Sequence, residues 1–404
     1  LPFVHSPVPG FRKGGSCRWL LQLVCPLIGN VLKVVVNTRL LLPGKLEGIG
    51  WFTCEGFKRI VRAHPGIRFY FVFDRPFDRE FVFSDNVHPV RLFPPARHPA
   101  LFYLFFEVAL ARFLRNLNPD LFVSPDGFLS EGYKGTQLPV FHDLNFMHNP
   151  RFLPFLTRKY YTHYFPKYAA RARRIMTVSD YSKTDIARTF SYPSQRIDVV
   201  YNGVHDLFAP ADQDTARLTR ENLTSGAPYF VYIGALHKRK NIDNMLRAFD
   251  RFRQNDAQQH KLVIVGEPMF GSSALRKVYQ AMRYRSDVVF TGRQFNERLR
   301  DIVASSRALL LVSHFEGFGV PIVEAMQCDV PVITSNVTSM PEVAGEAALL
   351  VDPGSIDQIV HAMDRMATQP ELRKILVEKG RKQRKRFSWD KTAELIWESM
   401  EKCL

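Results

Sequence analysis

Residues 308–325 read A-L-L-L-V-S-H-F-E-G-F-G-V-P-I-V-E-A, an order that leaves little freedom of fold. Ala308–Val312 is a short, unbroken apolar run, which suits a strand buried on both faces of a parallel sheet. Gly317 and Gly319 flank Phe318, and glycines so close permit positive φ and let a ligand approach the backbone. Pro321 falls where a helix begins, since its missing N–H and fixed φ cost least in the first turn. Strand, glycine loop and helix N-terminus in succession form an anion and nucleotide site, because free N–H groups and the positive end of the helix dipole converge there. Two carboxylates lie in the unit, Glu316 in the loop and Glu324 near the helix start. An ionised carboxylate only accepts hydrogen bonds, and its two oxygens match the paired hydroxyls of a sugar or ribose ring. Taken alone, the spacing fits equally a solvated Glu316 and a Glu324 that complements the helix dipole.

The same order recurs near the start of the chain. Val31–Asn37 is a β-branched run suited to a first parallel strand, followed by a glycine-bearing loop, Leu42–Trp51, and an amphipathic pattern through Ala63. On its own Gly48-x-Gly50 is an ordinary turn. Strands are expected at Arg68–Phe73, Leu121–Ser124, Leu138–His142, Arg174–Val178, Ile197–Tyr201, Tyr229–Ile233, Lys261–Gly266 and Val288–Gly292. Alternation with helical patterns predicts α/β architecture with doubly wound parallel sheets, whose ligands bind beyond the C-terminal strand ends. Asp206–Pro228 is polar, holds Pro, Gly and Ser and lacks a strong apolar period, as expected of a linker. The organisation is therefore an extension (1–30), a first Rossmann-like domain (31–205), a linker (206–228), a second Rossmann-like domain (229–386) and a terminal segment (387–404).

A chain of 404 residues that is 46% hydrophobic can fill two cores. Cys17, Cys25, Cys54, Cys328 and Cys403 form no C-x-x-C pair and no Cys/His cluster, so a reducing cytoplasm and no structural zinc are expected. Asp212-Gln213-Asp214 has the Asp-x-Asp spelling of a metal-binding motif, but it lies in linker-like sequence and is read as coincidence. Most of the +16 formal charge falls in residues 1–205, which therefore face something negative. No nucleic-acid motif accompanies that charge, which leaves phosphate-bearing substrates or an anionic membrane. Trp19–Val36 is mostly apolar but holds Gln22, Pro26, Gly29, Asn30 and Lys33, and is marginally short for a span. Cys25-Pro26-Leu27 makes a poor signal-cleavage site. Basic and aromatic residues interleave over Arg151–Arg174, a pattern that fits a membrane-surface helix or a helix whose aromatics face the core.

Three further spots sit at strand ends or helix starts. His142, in V-F-H-D, has a near-neutral pKa that suits contacts to a sugar hydroxyl or phosphate. In Thr177–Asp185 the serines read best as helix caps. Gly234–Asn241 places Lys238, Arg239 and Lys240 at a helix start, which opposes the helix dipole and makes sense if a diphosphate compensates them.

The run E-G-F-G-V-P-I-V-E-A-M, followed by P-V-I-T-S-N-V-T-S-M-P-E-V-A-G-E-A-A-L-L-V-D-P, resembles the donor-site signature of retaining glycosyltransferases of family 4, and within them bacterial surface-polysaccharide mannosyltransferases. The resemblance extends from about Val31 to the C-terminus. It implies the GT-B fold, two Rossmann-like domains facing across a cleft, with Phe387–Ala393 opening a last helix that crosses back to the first domain. It assigns Arg239 and Lys240 to the donor diphosphate, Glu316 to the sugar hydroxyls, Glu324 to the ribose diol and His142 to the cleft near the transferred sugar. Gly317, Phe318 and Gly319 form the donor loop, Gly292 lies near the base, and the loop with Gly48 and Gly50 spans the cleft. Thr338–Glu342 closes the donor pocket. Ala235 departs from an Arg common in the family, and Asp329 from a glycine.

The implied reaction is metal-independent, retaining transfer of a hexose, first mannose, from GDP-mannose or a UDP-hexose to a glycan or lipid-linked acceptor, without a cofactor. The leaving phosphate takes the acceptor proton, so no protein base is assigned. A cytoplasmic enzyme peripheral to the inner face of the plasma membrane is expected, with no nucleic-acid partner. Two alternatives remain at this level, a sugar-nucleotide epimerase of the same fold and a catalytically idle nucleotide-sugar-binding subunit.

Overall fold

The computed structural model describes residues 31–266 and 273–404; the N-terminal extension lies outside the described residues. Strands β1 (Lys33–Asn37), β2 (Arg68–Phe73), β3 (Val87–Arg91), β4 (Leu121–Ser124), β5 (Gln137–Phe141), β6 (Ile175–Thr177) and β7 (Ile197–Val199) form one sheet in the order β3-β2-β1-β4-β5-β6-β7. A second contains β8 (Tyr229–Ile233), β9 (Lys261–Val265), β10 (Val288–Gly292), β11 (Ala308–Leu311), β12 (Val332–Ser335) and β13 (Ala348–Val351), in the order β10-β9-β8-β11-β12-β13. All neighbouring strands run parallel. Strand order reverses between β1 and β4 and again between β8 and β11, and such switch points open crevices at the C-terminal strand ends. Burial explains the sequence: Val34–Val36, Leu121–Val123, Tyr229–Tyr232 and Ala308–Leu311 are fully enclosed, as strands covered by helices on both faces must be.

Three strands were not anticipated. β3 carries Pro89, which cannot donate to a ladder; it is tolerated because β3 is the sheet's edge. β12 and β13 are four-residue runs whose period is too short to read.

Two expectations are corrected. Gly48 and Gly50 are not in a loop: the helix Gly48–Ala63 begins at Gly48, and both lie in its first turn. Gly50 is close-packed there, since a Cβ would sit 3.0 Å from the Leu40 carbonyl oxygen. The stretch 206–228 contains the helix Gln213–Thr224, whose N-cap is Asp212, accepting from the Thr215 N–H at 2.7 Å. That cap explains the Asp-x-Asp spelling without a metal.

In the helix Phe155–Arg171, Tyr160, Phe165 and Tyr168 are buried in the first sheet's core, which decides for the core-facing reading of these rings. The last helix, Trp389–Glu401, packs against Gly48–Ala63, with Trp397 stacked on His64 at 3.6 Å and Arg59 bonded to Asp390. No helix among the described residues is long and apolar enough to cross a membrane.

Candidate active site

The loops leaving β8 and β11, at the second sheet's switch point, bring three charged side chains together. Lys238–Lys240 form a single 3-10 turn stopped by Asn241, in the left-handed region at φ 59°. The Asn241 amide donates to the carbonyls of Val312 and Pro353, at 2.9 and 2.7 Å, which locks that turn onto the end of β11. Arg239 and Lys240 are thereby aimed at Glu316. Lys240 Nζ lies 2.6 Å from Glu316 Oε1, Arg239 Nη1 lies 2.6 Å from Oε2, and the Ser313 hydroxyl donates to Oε1 at 2.7 Å. Glu316 is only 5% exposed. Burial by itself would raise its pKa, but Lys240 and then Arg239 override this and hold it down at about 2.

Glu324 is built differently. It stands in the second turn of the helix Val320–Gln327, with Pro321 in the first turn as expected, and no hydrogen bond to its carboxylate is found among the described residues. Desolvation pushes its pKa up to about 7. Two acids with seven residues between them thus differ in charge preference, Glu316 held ionised and Glu324 pushed toward its neutral form.

Across the crevice stands the C-terminal edge of the first sheet. His142 follows β5, and its Nε2 donates to the Pro125 carbonyl at 2.8 Å, because that oxygen only accepts; Nδ1 is left as the ring's acceptor. Burial, against the smaller influence of that hydrogen bond, lowers its pKa, so the ring is neutral. Phe52 packs edge-on against it at 5.2 Å. Gly317 is where the two edges meet: a Cβ there would lie 2.1 Å from the His142 carbonyl oxygen and 2.9 Å from Asp143 Cβ. Ser179 caps the helix Asp180–Thr189, as expected, and also donates to the Gly317 carbonyl at 2.7 Å. Of the paired glycines only Gly319 has positive φ, 98°; Gly317 is required for closeness instead.

Other expected positions follow. Phe318 is buried against Phe387, at 5.4 Å. Gly292 ends β10 at φ 68°. Beside it Arg293 reaches Glu47 at 3.2 Å, so the loop before Gly48 does meet the second sheet's edge. Thr338 Oγ1 accepts from the Glu316 N–H at 3.3 Å, while the Glu342 carboxylate accepts from the N–H groups of Asp180 and Tyr181, at 2.8 and 3.0 Å, on the opposite lobe. Asp329 takes φ 55°, a conformation Asp tolerates, and its carboxylate is held by Arg381 and Arg384.

Comparison with known proteins gives the same picture. Residues 63–208 match the family described as Glycosyltransferase Family 4, and residues 215–383 match Glycosyl transferases group 1. The chain belongs to the family 4 glycosyltransferases. It is similar to O-antigen chain mannosyltransferase B of Escherichia coli, 29% identical over 69% of this chain and 73% of that protein. It is 24% identical to the serotype-specific mannosyltransferase WbdA of Escherichia coli over 66% of this chain but spans only 32% of WbdA. In fold it resembles Anabaena HepE in complex with UDP and glucose, with a TM-score of 0.70 at 15% identity, covering 92% of this chain and 99% of that one. The architecture is GT-B.

Sequence reasoning did not single out the floor of this glycosyltransferase's first lobe. At the β1/β4 switch point, Arg39 pairs with Asp126, Asn37 donates to Asp126 at 2.7 Å and to Ser124 at 3.1 Å, and the Arg39 guanidinium lies 4.6 Å from the Phe128 ring centre. The available signal was Ser124-Pro125-Asp126-Gly127, a turn spelling directly after an apolar strand.

Proposed function

We propose that this glycosyltransferase moves a hexose, mannose first, from a nucleotide diphosphate sugar to a glycan or lipid-linked acceptor in cell-surface polysaccharide synthesis, with retention and without a metal. The observation that carries the reading is the convergence of Arg239 and Lys240 on Glu316 at the switch point, facing His142. Cleaving the anomeric bond leaves negative charge on the diphosphate, and two fixed cations in a poorly hydrated crevice stabilise that charge strongly. Their spare donors suffice, since a guanidinium has five and an ammonium three. Glu316, with three donors already on its oxygens, keeps room for a sugar hydroxyl. The departing phosphate takes the acceptor proton, so His142 orients hydroxyls through Nδ1 and is not the base. The mannosyltransferase relatives favour GDP-mannose, and the neighbour holding UDP keeps UDP-hexoses second.

The first lobe exposes Phe155 and Leu156 beside Arg158 and Lys159, and Tyr103, Leu104 and Val108 on the segment packed against that helix. Apolar side chains among cations suit a peripheral contact with the anionic inner face of the plasma membrane, where a lipid-linked acceptor is presented. Incubating the enzyme with GDP-mannose, a mannan acceptor and EDTA tests the function, with the anomeric configuration read by NMR. An α-linked product from the α-donor is expected; an inverted linkage, or epimerisation without acceptor, contradicts the reading.

Glu324 makes a separate prediction. Its raised pKa reports an ionised carboxylate lacking donors, and a ribose diol supplies two. Nucleotide binding near pH 6.5 therefore ionises Glu324 and releases a proton. Titration calorimetry in buffers of different ionisation enthalpy should detect that release in the wild type and lose it in Glu324→Gln.

A further inference from the structure

At the opposite end of β11 from Glu316, the second lobe has an open cavity of about 590 Å³, within the usual range for small-molecule sites. Its walls come from the turns that precede β8, β9 and β11 and from the helix Gln213–Thr224, and they contain Arg220, Arg307, Ser305 and Ser306 but no Asp or Glu. Neither guanidinium has a carboxylate partner among the described residues. Arg220 makes one bond, at 3.4 Å, to the Ser305 carbonyl, and Arg307 makes one, at 3.4 Å, to Gln258, while Arg307 Nε is buried with no acceptor.

Neighbouring acids are committed elsewhere. Asp256 is shared by Arg253 and His260, and Glu221 pairs with Arg217. Burial lowers the Arg307 pKa, and Arg373 and Arg220 lower it further against a smaller opposing influence of Asp256, which reports positive charges crowded without a bonded counterion. Surface arginines ordinarily resolve such crowding by pairing, because a guanidinium fork that stays unmatched out of water forfeits charge-assisted bonds.

We propose that this cavity binds a small phosphate-bearing anion, with Arg220 and Arg307 as its forked counterions and the Ser306 side of the turn completing the cradle. The site is distinct from the crevice at the other sheet edge and needs none of its residues. Two guanidinium groups in a volume several times that of one phosphate favour a ligand with at least two phosphate charges, either free diphosphate or the diphosphate of a nucleotide.

The probe is inorganic pyrophosphate, titrated calorimetrically at low salt because such contacts are screened. Wild type should bind two equivalents, one in each site. Arg239→Ala/Lys240→Ala should keep one, and Arg220→Gln/Arg307→Gln should lose one while keeping the other. Arg220→Gln alone, at a half-exposed side chain on a helix, should weaken that equivalent at least tenfold with thermal unfolding unchanged, which covers any folding defect of the double variant. Repeating the titration with GDP in the Arg239→Ala/Lys240→Ala background separates the sources, since tighter binding than pyrophosphate assigns a nucleotide and weaker binding the free anion. The proposal is overturned if Arg220→Gln/Arg307→Gln still binds as wild type, or if Arg239→Ala/Lys240→Ala binds nothing. Failure of the donor-site assignment looks different: Arg239→Ala/Lys240→Ala would then match wild type while the Arg220/Arg307 variants still lost their equivalent.

Discussion

Glu316→Gln should lower the rate of sugar transfer by about 100- to 1000-fold, the range typical of removing one preorganised electrostatic contact at a reacting centre. Its structural consequence should be as large. The carboxylate sits between Arg239 and Lys240 at 5% exposure, and removing one member of such a buried group leaves the others uncompensated, at a cost of about 3–5 kcal/mol. GDP should return part of that loss, because its diphosphate supplies the missing negative charge, so the variant's unfolding temperature should rise more on adding GDP than the wild type's does. The acid limb gives the sign a second time. A folded pKa of about 2 against an ordinary 4.5 means that Glu316 contributes its stability above pH 4.5 and loses it as pH falls toward 2. The wild type should therefore shed about 3 kcal/mol across that window that Glu316→Gln does not. Equal acid profiles would remove Glu316 from the account.

The second large effect belongs to a residue with no side chain. Gly317→Ala puts a methyl group 2.1 Å from the His142 carbonyl oxygen, and backbone on both sides has nowhere to go. The two lobes must separate, which also costs the bond from Ser179 to the Gly317 carbonyl. Because a displacement of about 1 Å in a reacting pair costs on the order of 100-fold, transfer should fall by at least that much. Nucleotide affinity should stay within about threefold, since Arg239, Lys240 and Glu324 all stand on the second lobe and the methyl group does not touch them. Transfer assays beside GDP titration separate these quantities, and small-angle scattering should show a larger radius. Transfer at the wild-type rate would mean that the approach of Gly317 to His142 has no part in the reaction.

These residues show how far the sequence alone reaches. The second lobe was readable because its strands are unbroken apolar runs ended by glycine or charge: Tyr229–Ile233, Val288–Gly292 and Ala308–Val312 all appear within a residue of where periodicity puts them. Ser179 and Pro321 were readable for the same reason, since caps and first-turn prolines act locally. What escaped depends on partners distant in the chain. That Gly317 serves closeness follows from His142, about 175 residues earlier, whereas Gly319 serves a left-handed turn. Glu342, which the resemblance gives only as part of the segment closing the donor pocket, caps a helix of the other lobe. Gly48 and Gly50 read as a loop because glycine is a poor helix former, and at Gly50 close packing against Leu40 and Leu46 overrode that propensity. The ring-rich helix Phe155–Arg171 was undecidable because a pattern of cations and aromatics does not say which face meets the core.

The central claim is that Arg239 and Lys240, held ready by Glu316, take the donor diphosphate without help from a metal. Calorimetric titration of GDP in the presence of EDTA, into wild type and into Arg239→Ala/Lys240→Ala, tests it most directly. The account predicts wild-type affinity unaffected by EDTA and a loss of at least about 100-fold in the variant, the equivalent of two charge-assisted bonds. GDP binding that disappears from the wild type with EDTA, or that survives intact in the variant, would contradict it.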